Sequence, residues 1–340
     1  MNTNTTSSLV TLPRAGSVLV SVATALLASV PAPARSDNIY IATPLNSAVG
    51  EFTTSGATVN AMLVPGQSIP YDVEVVGNDL YVVNFNNGAA GAGSIGKYNA
   101  TTGAVINASF ITGLNGPVSI AVSGNDLYVS NQVSGSVGKY NATTGATINA
   151  AFVSALIAPF GVAVSGGNLY VADQGPPVFG GNAIKEYNAT TGATINAALV
   201  TGLNVPADIE VSGNDLYVVN NAVDHVSLID GVGFVGKYNA TTGATINSAF
   251  ISGLSSPVGI AVSDGDLFVT NSYIFSNLVY SAIGTLGEYD AASGATINAA
   301  LLTGLNVPQG LTLAVPEPAC LLLVLYGAAL SVPLVKRFRS

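Results

Sequence analysis

Short apolar segments alternate with turn-forming residues along most of the chain, and the alternation repeats. One unit reads P-x-G-I-A-V-S-G-N-D-L-Y-V-x-N, then a variable loop, then G-K-Y-N-A-T-T-G-A-T-I-N-A-A-F-I-T-G-L-N. Four segments within it alternate apolar and polar positions, which is typical of half-buried β-strands. Gly, Asn and Asp separate the segments and favour turns because they tolerate a positive φ. Each unit therefore predicts four antiparallel strands, named a to d.

Each strand class has six predicted members. Strand a is expected at Asp72–Val76, Val118–Ser123, Phe160–Ser165, Ala207–Ser212, Val258–Ser263 and Gln309–Val315. Strand b is expected at Asn38–Ala42, Asp79–Asn84, Asp126–Asn131, Asn168–Asp173, Asp215–Asn220 and Asp266–Asn271. Strand c should end at Phe52, Tyr98, Tyr140, Tyr187, Tyr238 and Tyr289. Strand d should begin at Ala57, Ala104, Ala146, Ala193, Ala244 and Ala295.

The period of the repeat predicts the architecture. The aromatic residues of strand b recur at intervals of 41, 47, 42, 47 and 51 residues, and four strands per unit of this length are typical of a propeller blade. The first predicted strand is of class b and the last is of class a. One blade would therefore be built from both chain ends, which leaves no open edge in the ring. We expect an all-β fold, a six-bladed β-propeller over residues 37–314; a solenoid of stacked β-units is the alternative.

The fourth unit carries a resemblance to a known repeat. It contains P-F-G-V-A-V at Pro159–Val164 and L-Y-V-A-D at Leu169–Asp173. These segments resemble the blades of NHL-type propellers, and the resemblance extends over about residues 37–315. It implies the same six-bladed architecture.

The residues before the repeats are typical of a secretory signal. Arg14 precedes the apolar run Val18–Val30, small residues follow it at Ala32–Ala34, and the first acidic residue is Asp37. This order matches the basic, apolar and cleavage regions of a signal peptide. The alternative is a retained membrane helix, but the run has 13 residues and a span needs about 20. We expect residues 1–36 to be a signal peptide.

The chain ends on three successive features. Pro316, Glu317 and Pro318 lie in segment 315–318, and residues 319–335 carry no charge, which predicts a transmembrane helix at the lower length limit. Residues 336–340 contain Lys336, Arg337 and Arg339, which favour the cytoplasmic side.

This order resembles the PEP-CTERM sorting signal of Gram-negative bacteria. The resemblance implies cleavage by an exosortase-type protease and delivery to the cell surface or extracellular matrix. An ordinary C-terminal membrane anchor is the alternative.

Composition restricts the classes of function. The chain is 49% apolar and 8% charged, so it should fold rather than remain disordered. Between Asp37 and Ala314 four lysines stand against 17 acidic residues, a net charge of −13, and such a domain repels nucleic-acid phosphates. A single cysteine, Cys320, excludes an internal disulfide. The charged residues before the strand-c aromatics are expected to form an outward, solvated ring: Glu51, Lys97, Lys139, Glu186, Lys237 and Glu288.

Two groups of polar residues are candidates for chemistry at the propeller axis. Asp72 and Glu74 share one side of a strand, as do Asp208 and Glu210 three blades away. Four carboxylates around a channel could hold Ca²⁺, whereas a wet channel without metal is the interpretation we favour. A second ring would come from the ends of strand b, unless these side chains hold turns instead: Thr43, Asn84, Asn131, Asp173, Asn220 and Asn271.

No catalytic set is evident in the sequence. The single histidine, His225, lies in a loop near Asp224 and Asp230, and we expect it to be solvated. One histidine excludes a His-rich metal site, and no G-x-S-x-G motif supports a catalytic triad.

Three functions remain open. The favoured one is a non-enzymatic surface or matrix protein that binds polysaccharide or protein without a cofactor. The second is a metal-dependent hydrolase or lactonase with Ca²⁺ at the axis, since some six-bladed propellers of the gluconolactonase and strictosidine synthase type are enzymes. The third is a spacer in matrix assembly. Partner binding is expected on the face formed by the variable b–c loops: Phe85–Ser94, Gln174–Asn182, Asn221–Phe234 and Ser272–Thr285.

Overall fold

The structure, a computed structural model, describes residues 38–175, 182–221 and 232–314, except for residues 273, 277, 278 and 282. The predicted signal peptide (1–36), sorting motif (315–318), membrane helix (319–335), basic tail (336–340), Cys320 and His225 lie outside this part. Among the described residues, no helix has the length and hydropathy needed to cross a membrane.

Six four-stranded antiparallel sheets form the blades, each in the order a-b-c-d. Blade 1 contains β26 (Leu311–Ala314), β1 (Asn38–Thr43), β2 (Ala48–Thr53) and β3 (Thr58–Val64). Blade 2 contains β4 (Pro70–Val76), β5 (Asp79–Asn84), β6 (Gly93–Asn99) and β7 (Val105–Leu114). Blade 3 contains β8 (Pro117–Ser123), β9 (Asp126–Asn131), β10 (Ser136–Asn141) and β11 (Thr147–Val153).

The second half of the ring repeats this arrangement. Blade 4 contains β12 (Pro159–Ser165), β13 (Asn168–Asp173), β14 (Ala183–Asn188) and β15 (Thr194–Thr201). Blade 5 contains β16 (Pro206–Ser212), β17 (Asp215–Asn220), β18 (Val232–Asn239) and β19 (Thr245–Ser255). Blade 6 contains β20 (Pro257–Ser263), β21 (Asp266–Asn271), β24 (Ile283–Asp290) and β25 (Thr296–Asn306), and its b–c loop holds a small hairpin of β22 (Ile274–Ser276) and β23 (Val279–Ser281).

The predicted strands are confirmed with small shifts at their ends. Strand b of blades 2 to 6 has the predicted bounds, strand c ends one residue after its aromatic, and strand d begins one residue later than expected. Strand a of blades 2 to 6 begins at a proline, where a missing N–H costs little at a strand start. The hairpin β22–β23 was not predicted, because its short segments lack the turn signals of the repeat.

The ring is closed by pairing between the two ends of the described chain. Strand β1 pairs antiparallel with β26, from Asn38 opposite Ala314 to Ile41 opposite Leu311. The predicted closure is therefore confirmed, and the solenoid alternative is wrong.

The hydrophobic core is divided into six clusters, one between each pair of neighbouring blades. Between blades 2 and 3, Tyr81 and Phe110 face Leu127 and Tyr140. The Tyr81 hydroxyl donates to Ala142 O of blade 3 at 2.7 Å, so its polar end is satisfied inside the interface. The strand-c aromatics thus pack between blades, as predicted.

The repeated Y-N-A-T-T-G segment is a turn that also docks on the preceding blade. In blade 3, Asn141 Oδ1 accepts from Thr144 N at 2.8 Å and Thr144 Oγ1 at 2.9 Å. Gly145 has φ +73°, and a Cβ there would collide with Phe110 O on strand d of blade 2. The glycine is needed both for the backbone conformation and for the close approach.

The expectation of a solvated ring of charges is wrong. Lys97, Lys139 and Lys237 are 5–7% exposed. Lys139 lies opposite Tyr128 in the strand register, so its stem covers that ring inside the blade interface. Its ammonium pairs with Asp126 at 2.8 Å and donates to Ala189 O of the next blade at 3.0 Å.

The other charged residues of this ring also lie between blades. Each of the three lysine ammonium groups lies 5.0–5.3 Å from the centroids of a tyrosine and a phenylalanine ring, a favourable cation–π distance. Glu51 and Glu186 are also buried, and Glu288 is half-buried. These charges therefore belong to the joints between blades.

Candidate functional site

The six a strands surround a cavity of about 120 Å³ at the axis. Asp72 and Glu74 of blade 2 and Asp208 and Glu210 of blade 5 all line it, together with Ser119 and aliphatic side chains. The structure thus brings together the four acidic residues that the sequence predicted. This volume is well below the ~300–1,000 Å³ of typical small-molecule pockets.

The two aspartates link neighbouring blades. Asp72 Oδ1 accepts from Val73 N at 2.9 Å, and its Oδ2 accepts from Ile120 N on blade 3 at 3.0 Å. Asp208 makes the matching pair, with Ile209 N at 2.9 Å and Ile260 N on blade 6 at 3.0 Å. Strand a is innermost in its blade, so its inner N–H groups have no partner strand. Each aspartate satisfies two strand-a donors, four in all.

Glycines on the preceding blades make room for these carboxylates. A Cβ at Gly310 would collide with the Asp72 carboxyl, and a Cβ at Gly161 would lie 2.7 Å from Asp208 Cα. Both glycines occupy the strand-a position that corresponds to the aspartate in the next blade. The pairs Gly310–Asp72 and Gly161–Asp208 therefore repeat across the axis with approximate two-fold symmetry.

The two glutamates have fewer hydrogen-bond partners. Glu74 Oε2 accepts from Thr312 Oγ1 on β26 at 3.4 Å. Glu210 is half-buried on strand β16, in the position that corresponds to Glu74. Ser119 and Thr312 were missed by the sequence analysis, although they occupy the same strand positions as the aspartates and glutamates.

Burial raises the pKa of all four carboxyl groups. The pKa of Asp72 rises to about 7 and that of Glu210 to about 8. The pKa of Glu74 is raised well above its ordinary range by burial and then by the Glu210 charge, and that of Asp208 by burial and then by the Asp72 charge. With no basic side chain in the cavity lining, the cluster retains protons near neutral pH.

The donor set does not fit Ca²⁺ well. The described residues contain no group of three or more His, Cys, Asp or Glu side chains arranged to hold a metal ion. Both oxygens of Asp72 and both of Asp208 already accept backbone N–H groups. One acceptor site on each aspartate oxygen is therefore occupied, whereas Ca²⁺ needs about six to eight oxygen ligands.

The predicted second ring does not line this cavity. Asn84 Oδ1 accepts from Ser68 N at 2.9 Å, and Asn220 Oδ1 accepts from Asn204 N at 2.9 Å. Asp173 accepts from Ala158 N at 2.9 Å and pairs with Lys185 at 2.7 Å. These contacts hold the d–a loops, so the turn-holding interpretation is the correct one here.

The remaining ring members also bond locally. Thr43 Oγ1 donates to Ala48 O at 3.0 Å. Asn131 and Asn271 each donate through Nδ2, to Val129 O and Thr285 Oγ1, and among the described residues the buried Oδ1 of each has no partner. None of the six ring residues contributes to the cavity lining.

The two faces of the propeller differ in regularity. The a–b turns of blades 2 to 6 have two residues and their c–d turns have five, whereas the b–c connections range from four to eleven residues. Antiparallel order places the b–c loops on the same face as the d–a loops. The bases of the b–c loops are tied to that face, for example by Gln174 Nε2 donating to Pro206 O at 3.1 Å and by Phe85 packing on Tyr71 with ring centroids 5.1 Å apart.

Comparisons with known proteins identify the fold and no family. No protein-family model matches the sequence, and no curated protein matches it. A chain from the crystal structure of a nidogen/laminin complex is similar, with a TM-score of 0.64 and 13% identity over 83% of this chain and 100% of that one. The fold is that of a six-bladed β-propeller. A chain of hydrazine synthase from Kuenenia stuttgartiensis is similar with a TM-score of 0.50 and 17% identity, over 67% of both chains.

Proposed function

We propose that this chain is an exported propeller protein of the cell surface or extracellular matrix of a Gram-negative bacterium, and that it acts as a non-enzymatic binding or scaffold module. The observation that carries the proposal is the contrast between the faces. In blades 2 to 6 one face is built from turns of constant length, while the other face of the ring bears b–c loops of four to eleven residues. A rigid scaffold that varies only in its loops is the usual arrangement of a binding surface.

The loop face is the proposed binding surface for polysaccharide or protein. Among the described side chains of this face, aliphatic groups are exposed. Leu45 is 63% exposed, Val133 is 55% exposed and Ile157 is 53% exposed. None of the described aromatic side chains is exposed. A protein partner would use the aliphatic groups, and a polysaccharide would use the hydroxyls and amides of the loops.

The two chain ends support export and sorting. Residues 1–36 carry the pattern of a signal peptide, and Pro316–Pro318, the uncharged segment 319–335 and the basic residues after it have the order of a PEP-CTERM signal. On this proposal the precursor is held in the membrane by segment 319–335 until an exosortase-type protease releases the propeller. The NHL-type assignment of the blades belongs to the same proposal.

The axial cavity favours a non-enzymatic function without a cofactor. Its volume of about 120 Å³ leaves little space for a substrate, and the carboxyl groups of Asp72 and Asp208 already accept backbone N–H groups. A metal-dependent hydrolase or lactonase with Ca²⁺ at Asp72, Glu74, Asp208 and Glu210 would need a wider opening and free carboxylates.

The proposed sorting of the protein is tested by mass spectrometry of the mature product. The full chain is expressed in a Gram-negative host with an exosortase-type protease and in the same host without it. We expect the first host alone to yield a product that ends near Pro316–Pro318 and lacks residues 336–340. Glu317→Gln is the matched variant and should accumulate as precursor. An intact C-terminus in both hosts would exclude the sorting proposal.

The binding face is tested by a loop exchange. The b–c loop Phe85–Ala92 of blade 2 is replaced by Gln132–Gly135, the four-residue loop of blade 3. Binding to washed cell-surface fractions and to purified matrix polysaccharide of the producing cells is then measured. We expect weaker binding with an unchanged unfolding transition. Thr143→Ala, on the opposite face, is the control and should bind normally. Equal binding by a folded loop variant would argue against this loop as part of the site.

A further inference from the structure

The outer strand of each blade presents an open edge at the rim of the propeller. Strand d pairs with strand c, and in the part of the chain that the structure describes it has no second partner strand in any of the six sheets. Proteins usually protect such edges with charges, prolines or bulges. None of the six d strands contains a charged residue or a proline. The rim is therefore uncharged in a chain whose net charge is −9.

The exposed part of these strands has the composition of a pairing segment. In blade 3, residues 147–151 (T-I-N-A-A) are all exposed, and blades 4 and 6 carry the same five letters. A β-branched apolar residue lies at the same position of every d strand and is 51–54% exposed: Val59, Ile106, Ile148, Ile195, Ile246 and Ile297. Short segments with high β-propensity and no charge are templates for strand pairing between molecules.

One side chain in each strand works against such pairing. Asn149 Oδ1 accepts from Ala151 N at 3.0 Å, so this backbone donor is already satisfied within its own strand. The same bond, at 3.0–3.1 Å, forms in the other five blades from Asn60, Asn107, Asn196, Asn247 and Asn298. The c–d register also shifts on both sides of Asn149, which bends the strand away from the geometry that a partner requires.

We infer that this asparagine is an edge guard, which keeps the rim of one propeller from pairing with the rim of a second copy. The second copy is the partner that fits, because its rim is equally uncharged and the two rims do not repel each other. Antiparallel pairing of T-I-N-A-A with itself places Asn149 opposite Asn149 and Ile148 opposite Ala150, a large residue against a small one. The asparagine, together with the bulge around it, thus takes the place of the charge that usually protects an edge.

The test is the mass of the full chain in detergent solution, measured by sedimentation velocity over a concentration series. The wild type should be monomeric. Asn149→Val with Asn196→Val removes two guards in adjacent blades, and its average mass should rise at least to that of a dimer. Ile148→Lys with Ile195→Lys, added to this variant, should restore the monomer through charge repulsion. All variants share the same chain ends, so any difference between them comes from strand d.

Two matched variants separate the guard from its surroundings. Thr147→Val with Thr194→Val adds the same side chain to the same strands but keeps the asparagine bond, and should stay monomeric. Asn149→Ala with Asn196→Ala removes the bond with less added bulk, and replaces the valine variant if that one does not fold. A folded, monomeric guard variant would overturn the inference. Equal association by the threonine variant, or a wild type that associates through the rim, would also overturn it.

Discussion

At the residue scale, the axial aspartates have a structural role. Their oxygens matter as hydrogen-bond acceptors, and their charge matters less. Asp72 and Asp208 each accept one N–H of their own strand and one N–H of the next blade. The sequence allowed the D-x-E pairs to be found and placed opposite each other, because strand periodicity and blade order are local properties. It did not show these bonds, because the inner N–H groups that need an acceptor are identified only by the three-dimensional register.

Replacing Asp72 therefore tests the link between blades 2 and 3. Asp72→Ala leaves Ile120 N without an acceptor, and we expect a loss of about 1–3 kcal/mol in the free energy of unfolding. Asp72→Asn keeps an oxygen at that position and should lose less. Urea denaturation of the three proteins measures the difference. Equal losses for alanine and asparagine would show that the hydrogen bond to blade 3 does not stabilise the fold.

The glutamates predict an unusual dependence of stability on pH. Burial raises the pKa of Glu210 from its ordinary 4.5 to about 8 in the folded protein. The folded state therefore binds more protons than the unfolded state between these values, so stability falls as pH rises. Glu210→Gln removes this effect. At about pH 8.5 the variant should exceed the wild type by on the order of 4 kcal/mol, and the two should be similar near pH 5.

Denaturant unfolding at the two pH values measures this difference. Wild-type stability that rises between them, or a glutamine variant with the wild-type pH dependence, would contradict the raised pKa of Glu210.

At the element scale, the repeated hairpin holds the blades together as well as forming a turn. The strand types and nearly all bounds followed from turn residues and alternation, since each repeat carries the full local signal. The buried lysines were predicted wrongly. Lys97, Lys139 and Lys237 alternate with apolar neighbours like solvated residues, and only the adjacent blade, with its tyrosine, phenylalanine and carbonyl partners, makes their burial favourable.

Two glycine substitutions separate the turn from the docking contact. Gly145→Ala places a Cβ against Phe110 O at φ +73°, whereas Gly124→Ala has a similar φ of +58° and no atom within 4 Å. The second change should cost about 1–2 kcal/mol from the backbone conformation alone, and the first should cost clearly more. Chemical denaturation gives both values. Equal costs would mean that the contact between the turn and blade 2 is not tight.

At the scale of the whole molecule, the ring depends on its last strand. The sequence predicted the number of blades, the closure of the ring by both chain ends and the face that carries the b–c loops. The repeated units give the period, and the first strand, which is of class b, shows which blade is completed by the last strand. The site was predicted only in part. The acidic residues meet at the axis as predicted, but the residues at the ends of strand b hold the d–a loops. This difference could not be predicted because it depends on the direction of the side chain at each strand end.

Truncation tests the closure. A chain that ends at Ala314 keeps β26 and should unfold in one cooperative transition. A chain that ends at Val307 lacks β26, leaves β1 as an open edge and exposes the cluster between blades 6 and 1. We expect the shorter chain to lose cooperative unfolding, as measured by thermal melting followed by circular dichroism. An unchanged transition would contradict a ring closed by β1 and β26.

The central claim is that the acidic residues at the axis form a protonated structural cluster and not a metal-dependent catalytic centre. Its most direct test is to measure the melting temperature of the wild type with millimolar Ca²⁺ and with a chelator. A ligand that binds only the folded state must raise the melting temperature. The account predicts the same melting temperature in both conditions. A rise with Ca²⁺ that is lost in Glu74→Gln with Glu210→Gln would place a cation on the axis and contradict the account.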